Sequence, residues 1–234
     1  MPRNPFKRHR FPAEVILLAV RWYCRYPLSY RDVRDLLAER GIVVDAGTIN
    51  RWVVKFGPEI AKRSFSQRGP RGLDWYVDET YVRVGGKWRY LWRAVDQHGR
   101  VVDFRLTARR DAKAARAFFR QAQETVRLYG PMSITTDKAP TYKRILGELN
   151  EFGFPGEEII HVDKKWQNNR IESDHAALKR LTDPAKGFQS LRTAKATLKG
   201  IEAIRMIKRG HVYNPPSGVT GEVRLLNEMF GLAA

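Results

Sequence analysis

The chain has 234 residues, 43% of them hydrophobic and 11% aromatic, which are globular values and exclude a disordered chain. Its 43 Lys and Arg stand against 25 Asp and Glu, a net charge of +18. The bases are spread along the whole length, which predicts an extended polyanion such as duplex DNA as partner and disfavours a single amphipathic membrane anchor.

Residues 1–20 place bases ahead of an apolar run, as a signal peptide would. The uninterrupted run is only Val15 to Val20, bordered by Glu14 and Arg21, so a basic arm and a soluble helix are expected. No stretch approaches the roughly 20 apolar residues of a membrane span. The single cysteine, Cys24, rules out an intramolecular disulfide and a C-x-x-C zinc finger and fits a reducing compartment.

Val15, Leu18, Ala19, Trp22 and Tyr26 recur at helical spacing, and Pro27 stops that first helix. In SYRDVRDLLAERG, Ser29 is a candidate N-cap with Asp32 three residues on, and Gly41 closes the segment. Asp45 can cap a third helix, AGTINRWVVKF, with Ile49, Trp52, Val53 and Phe56 as its packing face. Its other side carries Thr48, Asn50, Arg51 and Lys55. Three short helices of this kind suggest a helix-turn-helix, in which the start of the last helix enters the major groove. Arg and Asn there can make bidentate contacts to guanine and adenine edges. The alternative is a tri-helical packing unit with a solvated polar face. The expected division is a basic arm and helix-turn-helix over 1–58, a linker rich in Gly, Pro and base over 59–72, a core over 73–183 and a helical extension over 184–234.

From Leu73 the period changes to that of strands. Residues 73–84, 87–95 and 100–108 read as an antiparallel meander with turns at Gly85-Gly86 and Asp96–Gly99. A long helix, a short strand ending at Asp137, a second helix, a further short strand and the helix NNRIESDHAALKR follow. The order βββαβαβα implies an α/β fold, a mixed sheet with helices packed against it.

Asp78 sits mid-strand in WYVDETYV, where a buried carboxylate costs several kcal/mol unless paired or bound to metal. Asp137 ends a strand, where sites in such sheets open, or it simply caps the next helix. Glu172 and Lys179 fall within about 20° of each other, two turns apart on one helix. His175 lies between them, open to DNA contact or to a plain surface role. Asp96, Asp103, Asp111 and Asp174 read as turn, wet strand face, helix start and outward-facing positions.

The trio Asp78, Asp137 and Glu172, with 34 residues between the last two and Lys179 seven after the Glu, resembles the DDE signature of insertion-sequence transposases and retroviral integrases. More narrowly, HRFPAEVILLAVRWYCRYPLSYRDV, WYVDETYVRVGGKWRYLWRAVDQHGRVVDF, TTDKAP and NNRIESDHAALKR resemble the bacterial insertion-sequence-six family over nearly the whole chain. That resemblance implies a ribonuclease H-like core with a five-stranded mixed sheet, preceded by the all-α helix-turn-helix domain. It implies a cytoplasmic, DNA-associated transposase that cleaves element ends and joins a 3′-OH to target DNA, replicatively. It further implies two Mg2+ ions, with Mn2+ as a substitute, held by Asp78 between them and by Asp137 and Glu172 on either side. Oxygen donors in small number suit Mg2+, and three unneutralised carboxylates close together would otherwise repel. Lys179 would hold a phosphate or base of the donor DNA. The partners implied are double-stranded DNA, as terminal repeats and target, and a homodimer or larger assembly. The C-terminal helix after Phe188 directs Leu191, Ala194, Leu198, Ile201 and Ile204 inward and Arg192, Lys195, Lys199 and Arg205 outward, and could cover the core, contact DNA or join protomers. Two other functions stay open on the residues alone: a DNA-binding regulator without catalysis, and a ribonuclease H-like nuclease without strand transfer.

Overall fold

A computed structural model describes residues 5–126, 130–137, 140–151, 158–163 and 169–232. They form two compact units, residues 1–69 with 180–234, and residues 70–179.

The first unit is helical. Helix α1 (Ala13–Arg25) stops before Pro27, and α2 (Tyr30–Ala38) begins with a capping box in which Ser29 and Asp32 bond reciprocally. Helix α3 (Ala46–Arg63) starts on Asp45, whose carboxylate accepts from the Thr48 amide at 2.8 Å. The expected packing face of α3, Ile49, Trp52, Val53 and Phe56, is buried. That of α1 is different from expectation. Ile16, Leu17, Val20, Tyr23 and Cys24 are buried, while Val15, Leu18 and Trp22 are only partly covered, because α1 is apolar around most of its circumference and periodicity alone does not choose a side.

The expected linker is also corrected in part. Helix α3 runs on through Gly57 and Pro58 to Arg63, and a 3-10 turn follows over Ser64–Gln67. Ile60 extends the buried stripe by one more turn, and that burial outweighs the Gly-Pro break. Gly57 is required for another reason: a Cβ there would meet the Ala196 carbonyl oxygen at 2.9 Å and Gly200 Cα at 3.3 Å. The two glycines let α3 pack backbone to backbone on α7 (Leu191–Lys208). The C-terminal segment therefore packs with the N-terminal helices. Arg205, expected to face outward, is buried and donates to Glu202 at 2.9 Å. The last helix, α8 (Gly218–Met229), docks through Glu222, which accepts from Arg21 at 2.9 Å and Arg25 at 2.6 Å.

The second unit holds the sheet, β1 (Asp74–Val84), β2 (Lys87–Asp96), β3 (Val101–Thr107), β4 (Ser133–Thr135) and β5 (Ile160–Val162), in spatial order β3-β2-β1-β4-β5. The first three strands are antiparallel, and β4 and β5 join parallel. This is the sheet expected of a ribonuclease H-like core. Gly85 and Gly86 both have positive φ (57° and 74°), as a tight two-residue hairpin turn demands. One sheet face, with Trp75, Val77 and Trp92, packs against Phe118 and Phe119 of α4 (Ala112–Val126) and Tyr142 and Ile145 of α5 (Pro140–Glu151). Asp103, expected on a wet face, is instead half-buried and accepts from Gln121 at 2.9 Å and Thr125 at 2.7 Å on α4. No helix among the described residues is long and apolar enough to cross a membrane.

Candidate active site

Two consecutive acids on a strand must point to opposite faces, because side chains alternate. Glu79 falls on the face of Trp75 and Val77, where it is buried, ion-paired to Arg110 and bonded by the Tyr142 hydroxyl. Asp78 falls on the other face. Its cross-strand partner is Arg93, placed there by the hairpin register.

Parallel pairing aligns Tyr76 with Thr135. Asp78 and Asp137 each lie two residues beyond that rung, so they stand level on neighbouring chains at the end of β4. Asp137 is just past the strand proper, which ends at Thr135, and its carboxylate lies 3.9 Å from Arg110.

Helix α6 (Asn169–Thr182) crosses the face of Asp78. It buries Ile171, Asp174, His175 and Leu178, a stripe at i, i+3, i+4 and i+7. Three contacts fix it there. Arg170 lies over the Tyr76 ring, 5.7 Å from its centroid. Asp174 takes a hydrogen bond from Arg93 Nε at 3.1 Å and pairs with its guanidinium. His175 Nδ1 is 3.8 Å from Asp78 Oδ2. Asp174 and His175, expected on the outside of this helix, are therefore parts of its buried seam. Glu172 and Lys179 are exposed on the side away from the seam's centre, two turns apart.

Burial, first, and then the negative charges of Glu79, Asp137 and Glu172 push the Asp78 carboxyl up to about 7; a hydrogen bond from the Glu79 amide pulls the other way. A carboxyl in that state holds its proton more readily than a free one, with three further carboxylates, Glu79, Asp137 and Glu172, in electrostatic reach. Oxygen donors of this kind fit a hard divalent cation such as Mg2+. Among the described residues no group of three or more His, Cys, Asp or Glu stands close enough together to hold a metal ion. The fit lies in donor chemistry and charge.

The other candidates lie in the helical unit. Arg51 and Lys55 are exposed on α3, while Thr48 and Asn50 are half-buried. Thr48 donates to Asp45 and accepts from Arg51 Nη2, both at 2.5 Å. The Lys55 ammonium donates to the Pro5 carbonyl at 3.0 Å and meets His9 Nε2 at 2.7 Å, so the basic arm folds back on this helix.

The DDE domain profile matches residues 72–211. Over 203 residues the chain is 38% identical to the transposase for insertion sequence-like element IS431mec of Staphylococcus aureus, covering 86% of this chain and 87% of that one.

The chain belongs to the insertion-sequence-six family of DDE transposases.

A second Staphylococcus aureus relative, the transposase for insertion sequence element IS257 in transposon Tn4003, is 37% identical over the same coverage. Among solved structures, the HTLV-2 integrase catalytic core domain in complex with magnesium aligns with a TM-score of 0.43 and 18% identity, over 68% of this chain and 97% of that one. At that distance the likeness says nothing about function. For this transposase the expected trio lies in the DDE domain. Four partners of the trio escaped the sequence reading: Glu79, Arg93, Arg110 and Tyr142. Glu79 carried a usable signal, since consecutive acids in an apolar strand leave one facing the core.

Proposed function

We propose that this transposase cleaves element ends and transfers the new 3′-OH into target DNA in a Mg2+-dependent reaction carried by Asp78, Asp137 and Glu172. The observation that supports it is the raised Asp78 carboxyl beside two further acids on separate elements. Arg93, directly across from Asp78, pairs with Asp174, and the basic group that faces Asp78 is the His175 ring, with Nδ1 3.8 Å from its Oδ2.

Asp78, Asp137 and Glu172 would hold the metal. Mg2+, when bound, supplies a Lewis acid that neutralises charge on the reacting phosphodiester. Water attacks the phosphodiester at the element end, forming one P–O bond and breaking another, and leaves a 3′-hydroxyl. That hydroxyl then attacks a target phosphodiester, so one P–O bond again replaces another and a target 3′-oxygen departs. No side chain is acylated or phosphorylated, which fits the burial of the lone cysteine. Lys179, exposed about 10 Å along α6 from Glu172, would bind a donor phosphate. Arg51 and Asn50, with Thr48 and Lys55, would read the terminal repeat through α3. The active form would be a dimer or larger assembly holding two DNA ends, and the product a replicative cointegrate.

The test is strand transfer. A 3′-OH-terminated element end incubated with supercoiled plasmid and Mg2+ should give joined product, and Asp78→Ala, Asp137→Ala or Glu172→Ala should abolish it with end binding retained. Nicking without joining would favour a nuclease. Binding without either would favour a regulator.

A further inference from the structure

The β1–β2 hairpin runs past the end of β3, whose last residue, Thr107, pairs with Tyr90. Beyond that rung the sheet has two strands among the described residues. The register pairs Tyr81 with Tyr90 and Arg83 with Trp88, so these four side chains share one face. The other face is closed, with Val82 and Val84 buried. The face of Tyr81 is open: Trp88 is 65% exposed and Tyr81 45% exposed, and the Tyr81 and Tyr90 rings lie 5.3 Å apart in a tilted pair. Residues 80–95 contain no acid, while Arg83 and Lys87 are both exposed at the tip.

Two large rings left in water beside fixed positive charge call for a partner that is flat, apolar on its faces and anionic at its edge. A nucleotide has that chemistry. A second copy of this chain does not: it brings the same sign of net charge, and Lys is disfavoured in protein interfaces. A fully paired duplex would satisfy the bases but not the rings, because its base faces are already stacked. We infer that the hairpin tip is a stacking platform for an unpaired nucleotide at a DNA end, with Trp88 and Tyr81 against the base and Arg83, on the same face, against the phosphates. Glu79, next to Tyr81 on the same face of β1, pairs with Arg110, whose guanidinium lies 3.9 Å from Asp137, so the platform adjoins the Asp137 side of the site while Asp78 is on the opposite face. A strand held here would leave the end of the duplex frayed beside the reacting phosphodiester.

The inference rests on the reading of the protein as an enzyme of DNA ends, and binding measured without divalent ions separates the two. A labelled duplex with mismatched terminal pairs is compared with the same duplex fully paired, by fluorescence anisotropy at fixed salt. The wild-type protein should bind the frayed end roughly ten-fold more tightly. Trp88→Ala should remove that preference while holding the paired affinity, Tyr81→Ala should weaken it, and Trp88→Phe should keep most of it. Equal binding of both duplexes by the wild type, or an undiminished preference in Trp88→Ala, overturns the platform and leaves the catalytic reading standing. Failure to bind either duplex contradicts both. Loss of an oligomer in Trp88→Ala by sedimentation, with the preference intact, assigns the patch to a contact between copies and overturns the inference.

Discussion

Arg93 and Asp174 form a buried ion pair between the strand that faces Asp78 and the helix that carries Glu172. Arg93 is fully buried and Asp174 nearly so. The pair sits two residues from Glu172 along α6 and directly across the hairpin from Asp78. It ties two of the three acids to one frame. Breaking a buried pair from one side leaves an uncompensated charge and costs about 3–5 kcal/mol, whereas apolar replacement of both partners is far milder. Arg93→Met alone should therefore lower stability by about 3–5 kcal/mol in urea unfolding, and Arg93→Met with Asp174→Leu should recover most of the loss. Equal losses in the single and double variants would contradict this account.

The raised Asp78 carboxyl has a stability consequence with a definite sign. Its folded value, about 7, lies above the ordinary 3.8, so the folded state keeps a proton that the unfolded state releases. The associated stability is fully present below about pH 4 and is lost as pH rises to about 7, on the order of 4 kcal/mol in all. In metal-free buffer at pH 8, Asp78→Asn should be more stable than the wild type and its stability should vary less between pH 4 and 7. Thermal unfolding across that range checks both statements. A wild type that gains stability from pH 4 to 7 relative to the variant would refute them.

Glu79 depends on Arg110 and Tyr142 in the same physical sense. Tyr142→Phe removes a donor from a buried carboxylate and should cost about 1–3 kcal/mol in chemical denaturation. A change below a few tenths would mean that Arg110 alone satisfies Glu79.

The charge of +18 predicts a steep salt response. With roughly 6–10 phosphate contacts, end-binding affinity should fall about 10³–10⁵-fold between about 50 and 200 mM salt. Titrations at four salt concentrations give the slope directly, and a flat line would contradict phosphate-tracking by the spread bases.

Much of the sheet was legible because its signals are local. The Gly85-Gly86 turn fixes the hairpin, and counting outward from it puts Arg93 opposite Asp78. Capping residues marked α2 and α3 for the same reason, since Ser29 and Asp45 bond amides only three residues away. What the sequence hid depends on distant partners. Asp174 read as an outward acid because the arginine that buries it is 81 residues upstream. The stretch from residue 59 read as linker because the helix's need for α7 is visible only when Gly200 packs against Gly57. His175 read as either a DNA contact or a plain surface residue, since nothing nearby in sequence shows that α6 lays it against Asp78.

The central claim is that Asp78, Asp137 and Glu172 together bind divalent metal, and Mn2+ anomalous scattering from crystals of the protein with an element end tests it most directly. The account predicts Mn2+ density within coordinating distance of oxygens from all three carboxylates, absent in Asp78→Asn. Manganese bound elsewhere, or bound without Asp78, would contradict it.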